Sequence, residues 1–103
     1  MLKKRGSKGI EVTTLPYETK VYTNNQVLIP AQLIRSLDLR NVIKARITIE
    51  YKDRVVTFEA RLLKMRSTDS RQFTIPKSVR ENIGINPEDA IKILKIEKLA
   101  LKR

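Results

Sequence analysis

The side chains of this sequence that could do chemistry are chiefly its cations. There are 22 Lys and Arg residues against 11 Asp and Glu, which gives a formal net charge of +11. So basic a small chain is attracted to polyanions, of which nucleic acid is the first and an anionic membrane surface the second. Histidine and cysteine are absent, so the commonest general base and the thiolate nucleophiles and metal ligands are missing. The acidic residues show no ligand spacing. We therefore expect no catalytic residue, no metal site and no cofactor.

A sequence motif occurs twice, 46 residues apart, and contains several of these cations. The copies are residues 26–39 and 72–85, and both contain a Gln at the start and an Ile-Pro pair. Each reads as a short strand, a proline that opens a helix, one or two helical turns and a sharp exit. A unit this small cannot bury its own apolar face. The two copies are therefore predicted to build one core together.

The short helices and the strands before them present cations that could bind phosphate or base edges. Arg35 and Arg80 lie within the two helices, at neighbouring but not equivalent places. Lys77 lies in the first turn of the second helix, where phosphate binding is favourable. The 46-residue offset also matches Lys20 with Arg66. Symmetric cations at symmetric sites predict a clamp on a nucleic-acid backbone.

The remaining segments supply the strands that must position these residues. Residues 45–51 and 54–60 alternate in period two on either side of Lys52-Asp53, which predicts a hairpin. Residues 90–96 predict a closing strand, and residues 10–28 predict two strand segments separated at Pro16.

The exits of the helices differ between the copies. Asp38 follows the first helix and tolerates a left-handed conformation, whereas Gly84, at the equivalent position, is the preferred residue for it.

The organisation predicted from these patterns is a single domain with charged termini. Residues 1–9 are predicted to be a flexible basic arm, residues 10–98 the domain, and residues 99–103 a basic tail. Within the domain, residues 7–52 and 53–98 are predicted to be two copies of one β–β–α–β unit.

The second copy closely resembles the AbrB/SpoVT family of DNA-binding domains. The residues that carry the resemblance are Ile75-Pro76, Arg80, Ile83-Gly84-Ile85, Asp89 and the closing strand from Ile91 to Ile93. The first copy resembles it less: Leu39 and Ile47 fit, but Asp38 replaces the glycine. The resemblance implies a mostly β fold with two short helices, in which two β–β–α–β repeats form a swapped-hairpin β-barrel. One chain carries both repeats here, so the expected arrangement is an intramolecular pseudo-dimer.

The resemblance also implies DNA contacts at the position where the loop enters the strand before Ile-Pro. Family members often place Gly-Arg there, whereas this chain has Asn25-Gln26 and Arg71-Gln72. Glutamine can contact an adenine edge or a phosphate but brings no charge. The complete set of predicted DNA-binding residues is Lys20, Gln26, Arg35, Arg66, Arg71, Gln72, Lys77 and Arg80.

The function predicted from the sequence is a non-enzymatic, double-stranded DNA-binding protein, a transcriptional regulator located in the cytoplasm with the nucleoid. No apolar run approaches the roughly 18 residues of a membrane span, so no membrane partner is expected. Two alternatives remain at this stage. One is an antitoxin with a protein toxin as partner, and the other is a chromatin-like or RNA-binding architectural protein. Association of two chains through exposed sheet edges also remains open.

Overall fold

The computed structural model of the protein describes residues 14–102, which form seven strands and two short helices. In chain order these are β1 (Tyr17–Lys20), β2 (Gln26–Ile29), α1 (Ala31–Ser36), β3 (Val42–Tyr51), β4 (Arg54–Arg61), β5 (Leu63–Lys64), β6 (Arg71–Thr74), α2 (Lys77–Ile83) and β7 (Ala90–Leu101). Strands make up 49% of the structure. The prediction of a mostly β chain with two short helices is therefore confirmed. The predicted arm at residues 1–9 lies outside the described residues.

Both helices begin and end where the sequence predicts. Pro30 and Pro76 immediately precede α1 and α2, where a fixed φ and a missing N–H are both tolerated. Asp38 and Gly84 follow the helices with φ of 58° and 79°, so both predicted left-handed exits are confirmed. Helices of six and seven residues are marginal alone and depend on packing. In α1 that packing comes from Leu33 and Ile34, which are both fully buried.

The predicted hairpin is confirmed as β3 and β4. Tyr51 lies opposite Arg54 in the ladder, which leaves Lys52 and Asp53 as a two-residue turn. Both turn residues have positive φ, 48° and 65°, as the turn that matches the twist of a hairpin requires.

The strands form two sheets in which the two halves of the chain are interleaved. The larger sheet has the order β1-β7-β3-β4 and the smaller one β2-β6-β5. Across residues 14–102 neither sheet closes into a barrel. Apart from β5 with β6, every ladder joins a strand of residues 7–52 to a strand of residues 53–98. Neither half can therefore complete its sheets without the other.

The ladder between β2 and β6 marks an approximate two-fold axis. Val27 lies opposite Phe73, and these residues are 46 positions apart, so each is the equivalent of the other. The neighbouring pairs obey the same relation: the pair Gln26 and Thr74 becomes the pair Gln72 and Leu28 when each residue is replaced by its equivalent. The axis therefore passes between Val27 and Phe73.

The edge strands correct one predicted equivalence. Lys20 in β1 lies opposite Ala90, and Arg61 in β4 lies opposite Lys44. Since Lys44 and Ala90 are 46 positions apart, Lys20 is the structural equivalent of Arg61. The predicted match of Lys20 with Arg66 is thus wrong. Its cause is that Arg61 lies eleven positions before Gln72, whereas Lys20 lies only six positions before the equivalent Gln26, and the five extra positions accommodate β5.

The core lies between the two sheets and is built largely from equivalent aliphatic residues. Ile47 and Ile93 occupy matching places in β3 and β7 and are fully buried, as are Ile29 and Ile75 at the ends of the Ile-Pro strands. Burial of each such side chain contributes about 1.5–3 kcal/mol. The rest of the buried apolar set comprises Val21, Val27, Leu33, Ile34, Leu39, Val42, Ala45, Ile49, Tyr51, Phe58, Leu62, Phe73, Ile85 and Ile91.

The last strand is longer than predicted. β7 continues to Leu101, five residues beyond the predicted end at Ile96, and pairs with the start of β3 through Val42. The segment predicted as a basic tail at residues 99–103 thus begins inside the sheet. Lys102 follows the strand directly and its N–H donates to the carbonyl of Asn41 at 2.6 Å.

Candidate nucleic-acid interface

The outer face of the larger sheet carries charged side chains that neutralise one another. Arg46 on β3 donates from Nη2 to Glu59 Oε2 at 3.3 Å and from Nη1 to Glu97 Oε1 at 3.2 Å. Lys44 extends the row, with Nζ 3.3 Å from Glu59 Oε1, and so does Lys95, with Nζ 2.6 Å from Glu97 Oε2. Three cations thus share two carboxylates.

These contacts keep both carboxylates ionised. Hydrogen bonds from Lys44 and then Arg46 lower the pKa of Glu59, and those from Lys95 and then Arg46 lower the pKa of Glu97. The same bonds, from Glu97 and then Glu59, raise the pKa of Arg46. Because two of its three positive charges are compensated, this row attracts a polyanion less than a row of unpaired cations would.

Uncompensated charge is concentrated at one end of the molecule, where three segments meet. We call this the basic end and define it as residues 30–44, 61–71 and 98–102. Arg71 Nη2 donates to the carbonyl of Arg40 at 3.1 Å, which joins the second segment to the first. The bond from Lys102 to Asn41 joins the third segment to the first.

The opposite end, which contains the equivalents of most of these residues, consists of residues 18–25, 50–54 and 76–92. The N–H of Val21 donates to the carbonyl of Asp89 at 2.9 Å, and the hydroxyl of Tyr51 donates to Asp89 Oδ2 at 2.7 Å. Asn86 N also donates to that carboxylate, at 2.8 Å. These hydrogen bonds, the one from Tyr51 first, lower the pKa of Asp89.

The two ends differ sharply in charge although the fold relates them by the approximate two-fold axis. The basic end contains nine Lys and Arg residues and two Asp, whereas the opposite end contains six cations and six carboxylates. The electrostatic field of the protein therefore attracts a polyanion to the basic end.

Five cations of the basic end are exposed and make no ion pair within residues 14–102. They are Arg40, Arg61, Lys64, Arg66 and Lys102. Their free side chains are able to follow the phosphates of a bound duplex, each displacing condensed counterions.

Two of the predicted DNA-binding residues lie on the surface of this end. Arg66 is exposed in the connection between β5 and β6. Arg35, in the last turn of α1, is half exposed and its Nη1 lies 3.0 Å from Asp69 Oδ2 on the same connection. Lys20, the predicted partner of Arg66, lies at the opposite end instead.

Arg71 does not occupy the surface position that the resemblance implies. Its side chain is only 5% exposed, and its guanidinium donates to the main-chain carbonyls of Asp69, Ser70 and Arg40. It cannot read a groove from this position. The prediction of Arg71 as a surface DNA contact is corrected, since Arg71 ties the connection before β6 to the loop before β3.

Gln26 and Gln72 are brought close together, as equivalent residues beside the two-fold axis on the outer face of the smaller sheet. Gln26 Nε2 donates to Thr74 Oγ1 at 3.3 Å, and Gln26 Oε1 accepts from Asn24 Nδ2 at 3.0 Å. The side chain of Gln72 makes no hydrogen bond to any of the described residues. The pair is placed to contact bases only if the duplex lies across this face.

Lys77 and Arg80 lie on α2 at the opposite end. Lys77 is exposed, with Nζ 3.9 Å from Glu81 Oε2 one turn later. Arg80 is half-buried because it takes the place that the buried Ile34 has in α1, and its Nε donates to the carbonyl of Ile75 at 2.9 Å. The eight predicted residues thus do not form one cluster.

Sequence reasoning missed several cations that the structure brings to the basic end. Arg40, Arg61 and Lys64 were not among the predicted DNA-binding residues, and Lys102 was assigned to a tail. The sequence contains no clear signal for Lys102, because the alternation of apolar and charged residues breaks at Glu97-Lys98 and is followed by the apolar run Leu99-Ala100-Leu101.

Comparison of the chain with protein-family models, with curated proteins and with solved structures found no match. No helix between residues 14 and 102 is long and apolar enough to cross a membrane. In the same part of the chain no three carboxylates converge where a metal ion could bind. The site must therefore be interpreted from its own chemistry.

Proposed function

We propose that this chain is a double-stranded DNA-binding protein that acts as a transcriptional regulator. Its architecture is, on this proposal, that of the AbrB/SpoVT-like swapped-hairpin class, with both repeats supplied by one chain. Support comes from the two Ile-Pro strands that pair beside the two-fold axis and from the exchange of strands between the halves. The cytoplasm, where it would meet the nucleoid, is the corresponding location.

The observation that carries the proposal is the unequal charge of the two ends. Six of the nine cations at the basic end have no ion-pair partner within residues 14–102. Such an excess of positive charge is what a duplex backbone attracts, and each neutralised phosphate releases counterions. In this mechanism Arg66, Arg61 and Arg40 contact phosphates, and Arg35 joins them when it exchanges its bond to Asp69 for a phosphate. Affinity then comes mainly from the backbone, with few base contacts.

A second candidate is an architectural protein that binds DNA without sequence preference. The burial of Arg71 favours it, because burial removes the one arginine that stands next to the strand where base contacts were expected. Base reading would then rest on Gln26 and Gln72 alone. The two candidates differ in specificity and not in the basic surface they use.

The test is fluorescence anisotropy with a labelled duplex of about 20 base pairs, roughly two helical turns, taken from immediately upstream of the gene. A scrambled duplex of equal composition serves as control. Tighter binding to the upstream duplex that persists from about 50 to about 200 mM salt supports the regulator. Equal binding to both duplexes supports the architectural protein. If neither duplex binds at the lowest salt, the nucleic-acid proposal is wrong.

A further inference from the structure

A cleft of about 340 Å³ opens at the basic end. The loop before β3, the end of β7 and the connection from β4 to β6 form its walls. Its charged lining consists of Arg40, Lys64, Asp69, Arg71 and Lys102. Four of these five side chains are cations, whereas small-molecule sites are mostly apolar with a few polar groups. The composition of the cleft therefore favours an anion.

The most buried charge of the cleft is the guanidinium of Arg71. Nη1 donates to the carbonyls of Asp69 and Ser70 at 2.6 and 3.0 Å, and Nη2 donates to that of Arg40 at 3.1 Å. A guanidinium has five N–H donors, so the Nε–H and one Nη2–H have no acceptor in the described part of the chain. Nor does any carboxylate there form an ion pair with this buried charge.

Buried charges in proteins are normally paired, because an unpaired charge loses its hydration without compensation. The carboxylate of Asp69, also in the cleft lining, is the nearest candidate in sequence. It is bound instead by Arg35 at 3.0 Å, a residue outside the lining. The cleft thus presents a buried, partly unsatisfied guanidinium with three further cations around it.

The described residues of the other half form no such arrangement. At the positions equivalent to Arg71 and Arg40 the sequence has Asn25 and Asn86, and Lys102 has no equivalent, because β3 ends in the turn at Lys52-Asp53 where β7 continues to Leu101. The cationic cleft is therefore a property of one half and not a consequence of the repeated fold.

We propose that this cleft is a binding site for a phosphate group. The fork of Arg71, through its free Nε–H and Nη2–H, matches two oxygens of a phosphate. Lys64 and Lys102 add charge from two walls, and Arg40 from the third. The phosphate belongs either to nucleic acid, in which case its source rests on the proposed function, or to a free nucleotide.

The first experiment titrates the full chain with inorganic phosphate at constant ionic strength and follows the nitrogen–proton NMR spectrum. Saturable shifts are expected in the amides of residues 40–42 and 69–71 and in the Nε–H of Arg71. The variants Lys64→Gln and Lys102→Gln are each expected to bind phosphate roughly threefold more weakly. Arg54→Gln, which removes an exposed cation at the opposite end, is the matched control and is expected to bind unchanged.

Arg71→Lys tests the fork itself, because it keeps the charge and loses the two-point geometry. A loss of about tenfold is expected. If this variant does not fold, the two lysine variants still decide, since both residues are exposed. The absence of saturable shifts in the wild type would overturn the proposal, and so would equal phosphate affinity in both lysine variants and the wild type.

The source of the phosphate is tested by competition. Displacement of inorganic phosphate by an unlabelled duplex supports a nucleic-acid phosphate, and displacement by a mononucleotide but not by the duplex supports a free nucleotide. Failure of the two proposals can be distinguished. If the cleft binds phosphate but the protein binds no duplex, the phosphate site is retained and the proposed function is wrong. If the protein binds a duplex but the cleft binds no phosphate, only the phosphate site is wrong.

Discussion

The placement of charge predicts how the salt dependence of DNA binding responds to mutation. The perturbation is the double variant Arg61→Gln, Arg66→Gln, which removes two exposed cations of the basic end that do not line the phosphate cleft. Arg61 also lies opposite Lys44 in the ladder, and like charges in that position repel. The substitution is therefore not expected to destabilise the fold.

The expected magnitude follows from counterion release. Each phosphate contact contributes about 0.9 to the slope of log affinity against log salt, so the loss of two contacts makes the slope shallower by about 1.8. Between about 50 and about 200 mM salt, a fourfold change, the ratio of the wild-type DNA affinity to the variant's affinity should fall by about twelvefold. The assay is anisotropy of one labelled duplex at a series of salt concentrations.

The control separates the position of the charge from its amount. Lys20→Gln, Arg54→Gln removes two cations from the opposite end, and Lys20 is the structural equivalent of Arg61. Both double variants have the same net charge. A slope unchanged by Arg61→Gln, Arg66→Gln, or an equal effect of the control pair, would refute the assignment of DNA contacts to the basic end.

Four further predictions concern the opposite end and the turns. In Tyr51→Phe the pKa of Asp89 should rise toward its ordinary value, because the first of the bonds that lower it is lost; carboxyl NMR titration measures this, and an unchanged pKa contradicts it. Since the folded pKa of Asp89 is lowered, its contribution to stability is present above the ordinary carboxyl pKa and disappears as the pH falls through the folded pKa. The melting temperatures of the wild type and of Asp89→Asn should thus differ most near neutral pH and converge in acid. A difference that stays constant with pH would contradict this contribution of Asp89. Gly84→Ala should cost about 1–2 kcal/mol of unfolding free energy from its positive φ alone, since a Cβ there meets nothing within 4 Å; urea unfolding that shows no loss would exclude the strain. Replacement of Lys52-Asp53 by Asn-Gly should stabilise the hairpin by about 1 kcal/mol or more, and a lower urea midpoint would count against it.

The parts of the fold that could be predicted from the sequence are those that depend on local conformation. Pro30 and Pro76 mark helix starts because proline lacks an N–H, and Gly84 marks an exit because it adopts positive φ freely. The hairpin at Lys52-Asp53 followed from alternation on both sides. None of these features requires knowledge of what the segment packs against.

Features that depend on distant segments could not be predicted. Arg71 is buried because its guanidinium reaches the carbonyl of Arg40, 31 residues earlier. Lys20 and Arg66 looked equivalent because the 46-residue offset is correct for the Ile-Pro strands. The offset fails before these strands, because five more positions separate Arg61 from Gln72 than separate Lys20 from Gln26. A uniform offset cannot reveal an insertion inside one copy when few residues are identical.

The buried residues of the protein follow the two-fold axis, whereas its surface charges do not, and this difference determines how the protein can contact DNA. Equivalent buried pairs such as Ile29 with Ile75 and Ile47 with Ile93 preserve the axis, because both halves must fill the same space between the sheets. Surface charge is under no such constraint, and one end has gained an excess of cations while the other is neutral. A symmetric duplex contact would need matching cations on both sides of the axis, which the ends do not provide. The preferred DNA site should therefore have no palindromic requirement, and the protein should bind a half-site as tightly as the corresponding full palindrome.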